Sequence, residues 1–532
     1  MTYATPAARP AGRSRPAIAS PARALVLSLF AAGVLISAFS MLNGIDPFDE
    51  GLMLQAARRI TAGQVPYRDF LWAYGPAQPY LLALLFKLFG VSLLQWRIIR
   101  VLADAGIALA AYLLAAEVAP RRVGLVVWLA VACEITEPRS ADPFPLALLA
   151  ILLALLVATR GSPTPRRALG AALLTAAAAA FRLDFALYGL AAVAVTFALA
   201  PGLPLRTAVT YVLAAVALIA LVYLPFAILD GPGSLYQALI GNSLRTRDYW
   251  TLPFPLHYHA PAGAGLAKTA KKALDYYVPL LVVVAYALTV VAAVVFWWRD
   301  RRAPAPLLGL SVMGVGLFTY LFSRADEFHV QPLFVVVAIA LGVIIGRAPR
   351  ALPALVATAL LALLLLHGVG NRLSALVHPP AATTLQVPVA DGVEAPPQEA
   401  AAIDRMVRIV DRLVPPGRPI YVVPRRSDLV RYDDPLIYVL TERANPTPED
   451  FGLLTGAAAQ AKIVAELTRV RPRVIVRWTD PVSSSREPNL RGRSSGVHTL
   501  DRWIAAHYRL YARLYHYDVL VAKTPPARRP RT

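Results

Sequence analysis

Residues 24–51 read ALVLSLFAAGVLISAFSMLNGIDPFDEG. The first part, 24–42, carries no charge and is long enough to cross the hydrocarbon core of a bilayer as a helix. The second, 43–51, packs Asp46, Asp49 and Glu50 into five residues. Arg9, Arg13, Arg15 and Arg23 precede the apolar run. The positive-inside rule therefore places the N-terminus in the cytoplasm and the acidic stretch on the other side. The run is long enough to span and stay, so it reads as an anchor rather than a cleaved leader.

The same alternation continues down the chain. Of 532 residues, 57% are hydrophobic and only 16% charged, against about 25% charged in a soluble domain. Eleven spans are expected. The second and third flank Arg121-Arg122. The fourth runs from about 143 to 160, followed by 168–181, 185–200, 207–229 and 277–298. The ninth ends at 322, the tenth at 347, and the eleventh is 351–369. Each connector placed inside is basic, as at Arg166-Arg167, Arg206, Arg301-Arg302 and Arg350. The net charge of +21 thus reflects connector arginines and attraction to anionic lipid. Nucleic acid is not the expected partner. The single cysteine, Cys133, allows no intramolecular disulfide and no thiolate metal site. No internal repeat is visible, which disfavours an inverted-repeat transporter.

The expected architecture is a polytopic α-helical membrane protein ending in an extracytoplasmic α/β domain. Residues 1–23 are a cytoplasmic basic tail. Residues 24–370 are the transmembrane domain, with long outer loops at 43–75 and 230–275. A Pro/Ala-rich linker follows at 371–397, then the α/β domain at 398–532. Within that domain helices are expected at 399–413, 457–470 and 500–506, with strands near 419–423, 473–477, 508–515 and 518–522.

Charges of both signs collect in the outer segments. Asp46-Pro47-Phe48-Asp49-Glu50 has the form of a helix start, with Asp46 capping and Asp49 at the third position. The same carboxylates could instead face a cavity, taking a proton or holding a divalent cation. Asp142 before Pro143 is equally an N-cap and a site acid. Arg182 and Asp184 at a span boundary could pair, or Arg182 could grip a lipid phosphate. Arg139, Arg245 and the Arg324-Ala325-Asp326-Glu327-Phe328-His329 cluster offer further phosphate ligands. Tyr67 and Asp69 lie in Gly63-Gln64-Val65-Pro66-Tyr67-Arg68-Asp69, read as a well-ordered loop or an acceptor-positioning element. His257 and His259 lack a third ligand, so no metal site is assigned to them.

These outer motifs resemble the GT-C membrane glycosyltransferases, in particular the bacterial protein-mannosyltransferase-like and lipopolysaccharide sugar-transferase-like group. Phe48-Asp49-Glu50 is similar to the Phe-Asp-Glu of protein O-mannosyltransferases, and Arg139-Ser140-Ala141-Asp142 to an Arg-x-x-Asp motif at a later helix start. Tyr438 to Thr447 is similar to a Tyr-x-Leu-Thr-Gly-Arg-x-x-Pro-Thr segment of outer domains, with Glu442 in place of the Gly. The resemblance implies Asp49 as catalytic base, with Asp46 and Glu50 as alternatives, and Asp142 as the second-loop acid. It implies a donor phosphate held among Arg139, Arg182, Arg245, Arg324 and His329. No cofactor is implied with certainty; Mg or Mn is the candidate, and its ligands stay unassigned.

The expected activity is sugar transfer from a polyprenyl-phosphate donor to an envelope glycan, lipid or protein on the outer face of a bacterial plasma membrane. Nucleotide sugars stay in the cytosol, and the donor's lipid tail explains the membrane setting. A transporter or flippase of lipid-linked glycans is the alternative. It would want polar residues at depth in the spans, and the spans read as nearly free of them.

Overall fold

Helices stand on the runs read as spans because those runs are rich in Leu and Ala, and a helix satisfies its own backbone groups in lipid. A computed structural model describes residues 23–135, 137–160, 164–199, 205–260, 265–300, 304–347, 352–429, 433–450, 456–481 and 494–523. α1 (Arg23–Ala38) leads into the first loop region, which contains α2 (Asp49–Thr61) and is followed by α3 (Ala77–Phe89). The bundle continues with α4 (Leu94–Ala116), α5 (Arg121–Glu134), α6 (Phe144–Thr159), α7 (Pro165–Phe181), α8 (Leu183–Leu199) and α9 (Leu205–Asp230). The second long loop folds into α10 (Pro232–Tyr236), a π-helical turn (Gln237–Gly241) and α11 (Asn242–Trp250). α12 (Leu266–Asp300), α13 (Ala305–Ser323), α14 (Glu327–Arg347) and α15 (Leu352–Val377) complete the bundle. Helix α12 begins eleven residues before the expected span at 277, so part of the second loop is helical.

Among the described residues, six helices are long and apolar enough to cross a membrane: Leu94–Ala116, Leu205–Asp230, Lys268–Arg299, Ala305–Ser323, Glu327–Arg347 and Leu352–Val377. Arg23–Ala38, Ala77–Phe89, Phe144–Thr159 and Leu183–Leu199 are shorter apolar helices. Helix α14 is apolar all round and buried from Val330 to Ile344, which puts it at the centre of the bundle. Helix α7, with its run of alanines, packs closely on α6 and α9, as small residues allow.

The C-terminal domain contains α16 (Pro397–Leu413), α17 (Leu436–Leu440), α18 (Ala457–Val470) and α19 (Thr499–His507). Its sheet comprises β3 (Tyr421–Pro424), β4 (Val474–Trp478), β5 (Tyr508–Leu514) and β6 (Tyr517–Ala522) in the order β3-β4-β6-β5. β3 and β4 are parallel, and the other neighbours antiparallel. Residues 483–495 read as a polar loop from their Ser, Arg and Gly content, and 483–493 lie outside the described residues.

The stretch read as a linker differs from a free one. β1 (Thr383–Thr384) pairs with β2 (Glu394–Ala395), and Leu385, Val387 and Val393 between them are buried. The hairpin is joined to the first loop, where Gly44 N donates to Glu394 O and Glu394 N to Leu42 O, both at 2.8 Å. Further along, Leu436 N donates to Pro47 O at 3.3 Å and Leu71 N to Pro448 O at 2.9 Å. Gly51 explains how close this approach is: a Cβ there would lie 2.2 Å from Leu436 N. The domain is therefore built onto the first loop rather than hung beside it.

Candidate active site

Helix α2 begins at Asp49, three residues after Asp46. Asp46 Oδ1 accepts from Phe48 N (3.1 Å) and Asp49 N (3.2 Å), the capping expected of it. The reciprocal bond comes from Glu50, whose Oε2 accepts from Asp46 N at 3.4 Å. Asp49 is thereby left out of the cap. Its carboxylate has no hydrogen-bond partner among the described residues and faces a cavity of about 1790 Å³. Burial, and then the charges of Asp46, Asp142 and Glu137, hold its pKa well above the ordinary carboxylate range, with Arg324 pulling the other way. Asp46 is pushed up to about 6 by burial and by Glu50.

Glu50 points elsewhere. It is fully buried against Arg97 of α4, with Oε1 2.7 Å from Nε and Oε2 2.8 Å from Nη2. Arg97 also donates to Met41 O (2.8 Å) and Gly44 O (2.9 Å). Glu50 is thus a structural anchor of α2 and does not line the cavity, which corrects its place among the candidate bases. One helical turn further, Arg100 bonds Asp104 (2.7 Å), Ser140 O (2.9 Å) and Ile135 O (3.0 Å). These charges also correct the reading of the spans as nearly free of polar groups. The signal was available, since 97, 100 and 104 fall on one helix face. Each group is satisfied locally, so they form a brace.

Asp142 starts the helix and pairs with Arg182, and it is not among the residues that line the cavity. Its Oδ1 accepts from Phe144 N at 2.8 Å, and both oxygens meet Arg182 Nη1 at 3.1 and 3.2 Å. Arg182 is clasped from the other side by Asp184, at 3.0 and 2.7 Å. It lies over the rings of Phe185 (4.7 Å) and Tyr320 (4.8 Å). Two carboxylates hold this guanidinium at the cavity wall, so the pairing reading applies.

Across the cavity, Asp326 joins Arg324 and His329. Arg324 Nε donates to Asp326 Oδ2 at 2.8 Å, and His329 Nδ1 lies 2.7 Å from Asp326 Oδ1. Burial alone would raise the Asp326 pKa; the His329 hydrogen bond and the charges of His329 and Arg324 outweigh it and hold it down to about 2. His329 lines the cavity with its Nδ1 engaged by Asp326.

Four of the expected site residues, Arg245, Arg139, Tyr67 and Asp69, do not line the cavity. Arg245 is exposed and bonds Asn242 on its own helix. From this segment Leu239, Ile240, Asn242, Ser243, Leu244, Thr246 and Arg247 line the cavity, so Arg247 is the lining arginine and Arg245 is not. Arg139 is half exposed, pairs loosely with Glu137 at 3.7 Å and covers Gly44. Tyr67 and Asp69 order their own loop. Tyr67 OH donates to Tyr74 O (2.7 Å), and Asp69 accepts from Val65 N (2.8 Å) while pairing with exposed Arg68.

The segment Tyr438 to Asp450, whose part was unassigned, is a socket for α2. Arg58 donates to the carbonyls of Tyr438 and Arg443. Arg59 meets Asp450 at 2.5 and 2.8 Å and Thr447 O at 2.6 Å. Asn445 Nδ2 fixes Asp450 Oδ1 at 2.9 Å.

The cavity exceeds the roughly 300–1,000 Å³ of a small-molecule pocket, so it has room for two substrates. Its described lining carries nine carboxylates and three arginines. Asp46, Asp49 and Glu137 offer oxygens of the kind that hard divalent cations take, but among the described residues these three are not close enough together to share one ion. The group of three donors close enough to share an ion, Asp428, His498 and Asp501, lies in the C-terminal domain. There Asp428 is already held by Arg426 at 2.9 and 2.6 Å.

Helix ends converge on one charged cavity, beneath a small sheet domain. The chain is similar to the apo crystal structure of ArnT from Cupriavidus metallidurans, with a TM-score of 0.52 and 14% identity over 93% of this chain and 97% of that one. It also overlaps the archaeal oligosaccharyltransferase AglB from Archaeoglobus fulgidus (TM-score 0.49, 14% identity, 94% and 75% covered). A third likeness is to the arabinofuranosyltransferase AftD from Mycobacteria (TM-score 0.48, 14% identity, 96% and 40% covered). No family model and no curated protein sequence matches the chain.

Proposed function

We propose that the chain is a membrane glycosyltransferase that moves a sugar from a polyprenyl-phosphate donor to an envelope acceptor, with Asp49 as base. The observation that carries this reading is the unpartnered Asp49 carboxylate facing, across one cavity of a GT-C fold, the Arg324–Asp326–His329 cluster. The acceptor hydroxyl attacks the anomeric carbon, its proton passes to Asp49, and the bond from that carbon to the phosphate oxygen breaks. A single displacement inverts the anomeric centre. Arg324, Arg247 and His329 stabilise the charge that develops on the leaving phosphate.

In this reading the bundle crosses a bacterial plasma membrane eleven times. The N-terminus is cytoplasmic, and the cavity and C-terminal domain are outside. The basic connectors and the clustering of the acid-rich loops at the opposite helix ends support that orientation. The buried charges of α4, which a transporter could have used, are consumed by their own contacts. The test is release of labelled sugar from polyprenyl-phosphate sugars by the purified protein in nanodiscs. Asp49→Asn should abolish it without lowering the melting temperature. Normal turnover in that variant would sink the assignment.

A further inference from the structure

The C-terminal domain contributes Glu449, Trp478 and Asp480 to the cavity lining. On the bundle side, Tyr74, Arg182 and Tyr320 form a row along the wall. The Arg182 guanidinium lies over both rings, 5.4 Å from the centre of Tyr74 and 4.8 Å from that of Tyr320. The Tyr320 ring in turn lies 4.7 Å from the ring of His329. The row therefore runs from Tyr74, through Arg182 and Tyr320, to the Arg324–Asp326–His329 cluster.

Tyr74 is held at its backbone and ring and not at its hydroxyl. Its carbonyl accepts from Tyr67 OH at 2.7 Å. Trp72 meets its ring edge-on at 5.6 Å, and Trp72 Nε1 donates to Gly75 O at 2.9 Å. Gly75 N donates to Phe181 O at 3.0 Å, and a Cβ at Gly75 would lie 2.2 Å from Ala180 O. A glycine is what lets this turn come so close to the end of α7, beside Arg182. Tyr320 OH accepts from Arg182 Nη1 at 3.3 Å, whereas Tyr74 OH makes no hydrogen bond to another described residue and its residue lines the cavity. Burial, and then the charge of Asp142, raise the Tyr74 pKa; Arg182 opposes them, and Asp49 and Asp184 add to them. The phenol is therefore neutral.

We propose that the Tyr74 hydroxyl binds a hydroxyl of the transferred sugar and selects the donor by it; the proposal rests on the transfer reaction above. In a single displacement the attacking and departing oxygens stand on opposite faces of the anomeric carbon. The sugar ring thus lies between Asp49, which takes the proton, and Arg324, Arg247 and His329, which meet the phosphate. Tyr74 stands beside that span. The charge of Asp49 reaches its phenol, and the row that starts at its ring ends on His329. A neutral phenol both donates and accepts, and so does a sugar hydroxyl, whereas an ionised phosphate oxygen only accepts. A site built to hydrogen-bond a substrate hydroxyl rejects the analogue that lacks it far more strongly than an apolar pocket rejects a missing methylene. Tyr74 is in this way the counterpart of Asp49, a side chain whose surroundings are satisfied and whose reactive end is not.

The test measures lipid binding by calorimetry to the full chain in nanodiscs, without acceptor. The probes are polyprenyl phosphate alone and polyprenyl phosphate carrying mannose, glucose, galactose or arabinose. At least one sugar-bearing lipid should bind more tightly than polyprenyl phosphate alone. Tyr74→Phe keeps the ring under Arg182 and removes the hydroxyl. It should weaken that lipid by about fivefold or more, the order of one hydrogen bond, and leave polyprenyl phosphate within about twofold. A merely structural role would weaken both alike. Monodeoxy forms of the same lipid identify the hydroxyl: one of them should bind the parent protein as weakly as the full sugar binds Tyr74→Phe, and lose nothing further in that variant. A smaller loss, an equal loss for both lipids, additive losses for every monodeoxy form, or preference for none of the four sugars overturns the proposal. Sugar release from the same lipids is assayed separately. Its absence alongside Tyr74-dependent binding overturns the transfer reaction alone, whereas release with binding that ignores Tyr74→Phe overturns the sugar contact alone.

Discussion

Asp49 and Glu50 are neighbours in the chain and belong to different regions of the molecule. Glu50 lies in the junction of α2 with α4, where its two oxygens meet Arg97 and neither side chain reaches solvent. Asp49 lies on the cavity with no hydrogen-bond partner among the described residues. The 100° step of an α-helix separates them. What distinguishes a site acid from a structural one here is satisfaction, since both are carboxylates at the same helix start. The comparison predicts opposite phenotypes. Asp49→Asn should lower sugar transfer by roughly 10²–10⁴-fold, the range for loss of a general base, with the melting temperature unchanged. A large loss of stability instead would place Asp49 with Glu50.

The next largest effect belongs to the junction. Arg97→Met leaves Glu50 charged, buried and unpaired, and removes the donors to Met41 O and Gly44 O. Breaking a buried pair of this kind costs about 3–5 kcal/mol. Chemical or thermal unfolding in detergent should show it, and Glu50→Gln, which retains an acceptor, should cost less. If Arg97→Met were as stable as the parent but inactive, the pair would be part of the chemistry.

A smaller effect separates two arginines on one short helix. Arg247 lines the cavity and Arg245 does not. Arg247→Ala should raise the donor KM about tenfold, roughly 1.4 kcal/mol of phosphate contact. Arg245→Ala should stay within twofold. The reverse order would mean that α11 turns over when the donor binds.

Most of the bundle was legible because hydropathy is a sum over a window, and a lipid-facing or buried helix satisfies it locally. The acids of the first loop and the Arg324–His329 cluster were legible for a related reason, as short-range patterns beside span ends. What escaped has partners far away in sequence. Arg97 and Arg100 are averaged out of an apolar window by their neighbours. Their meaning lies in Glu50, Met41 and Ser140, which no local pattern connects to them. Arg182 reads from the sequence either as a partner of Asp184 or as a phosphate ligand, and Asp142, forty residues upstream, completes a clasp that no local pattern shows. Trp478 and Asp480 lay at the end of an expected strand, and only the tertiary fold brings that strand over Asp49.

The smallest effect tests whether the cap and the base are electrically joined. Asp46→Asn keeps an acceptor oxygen for Phe48 N and Asp49 N, so the start of α2 should survive. It removes a negative charge that raises the Asp49 pKa. Asp49 accepts a proton only when ionised, so its contribution is present above its pKa and lost as pH falls through it. Removing the neighbouring charge lowers that pKa, and the acidic limb of kcat/KM should move to lower pH with the plateau little changed. A limb that stays in place would mean that burial alone sets the Asp49 pKa. A limb that moves to higher pH would reverse the sign of the coupling and transfer the role of base away from Asp49.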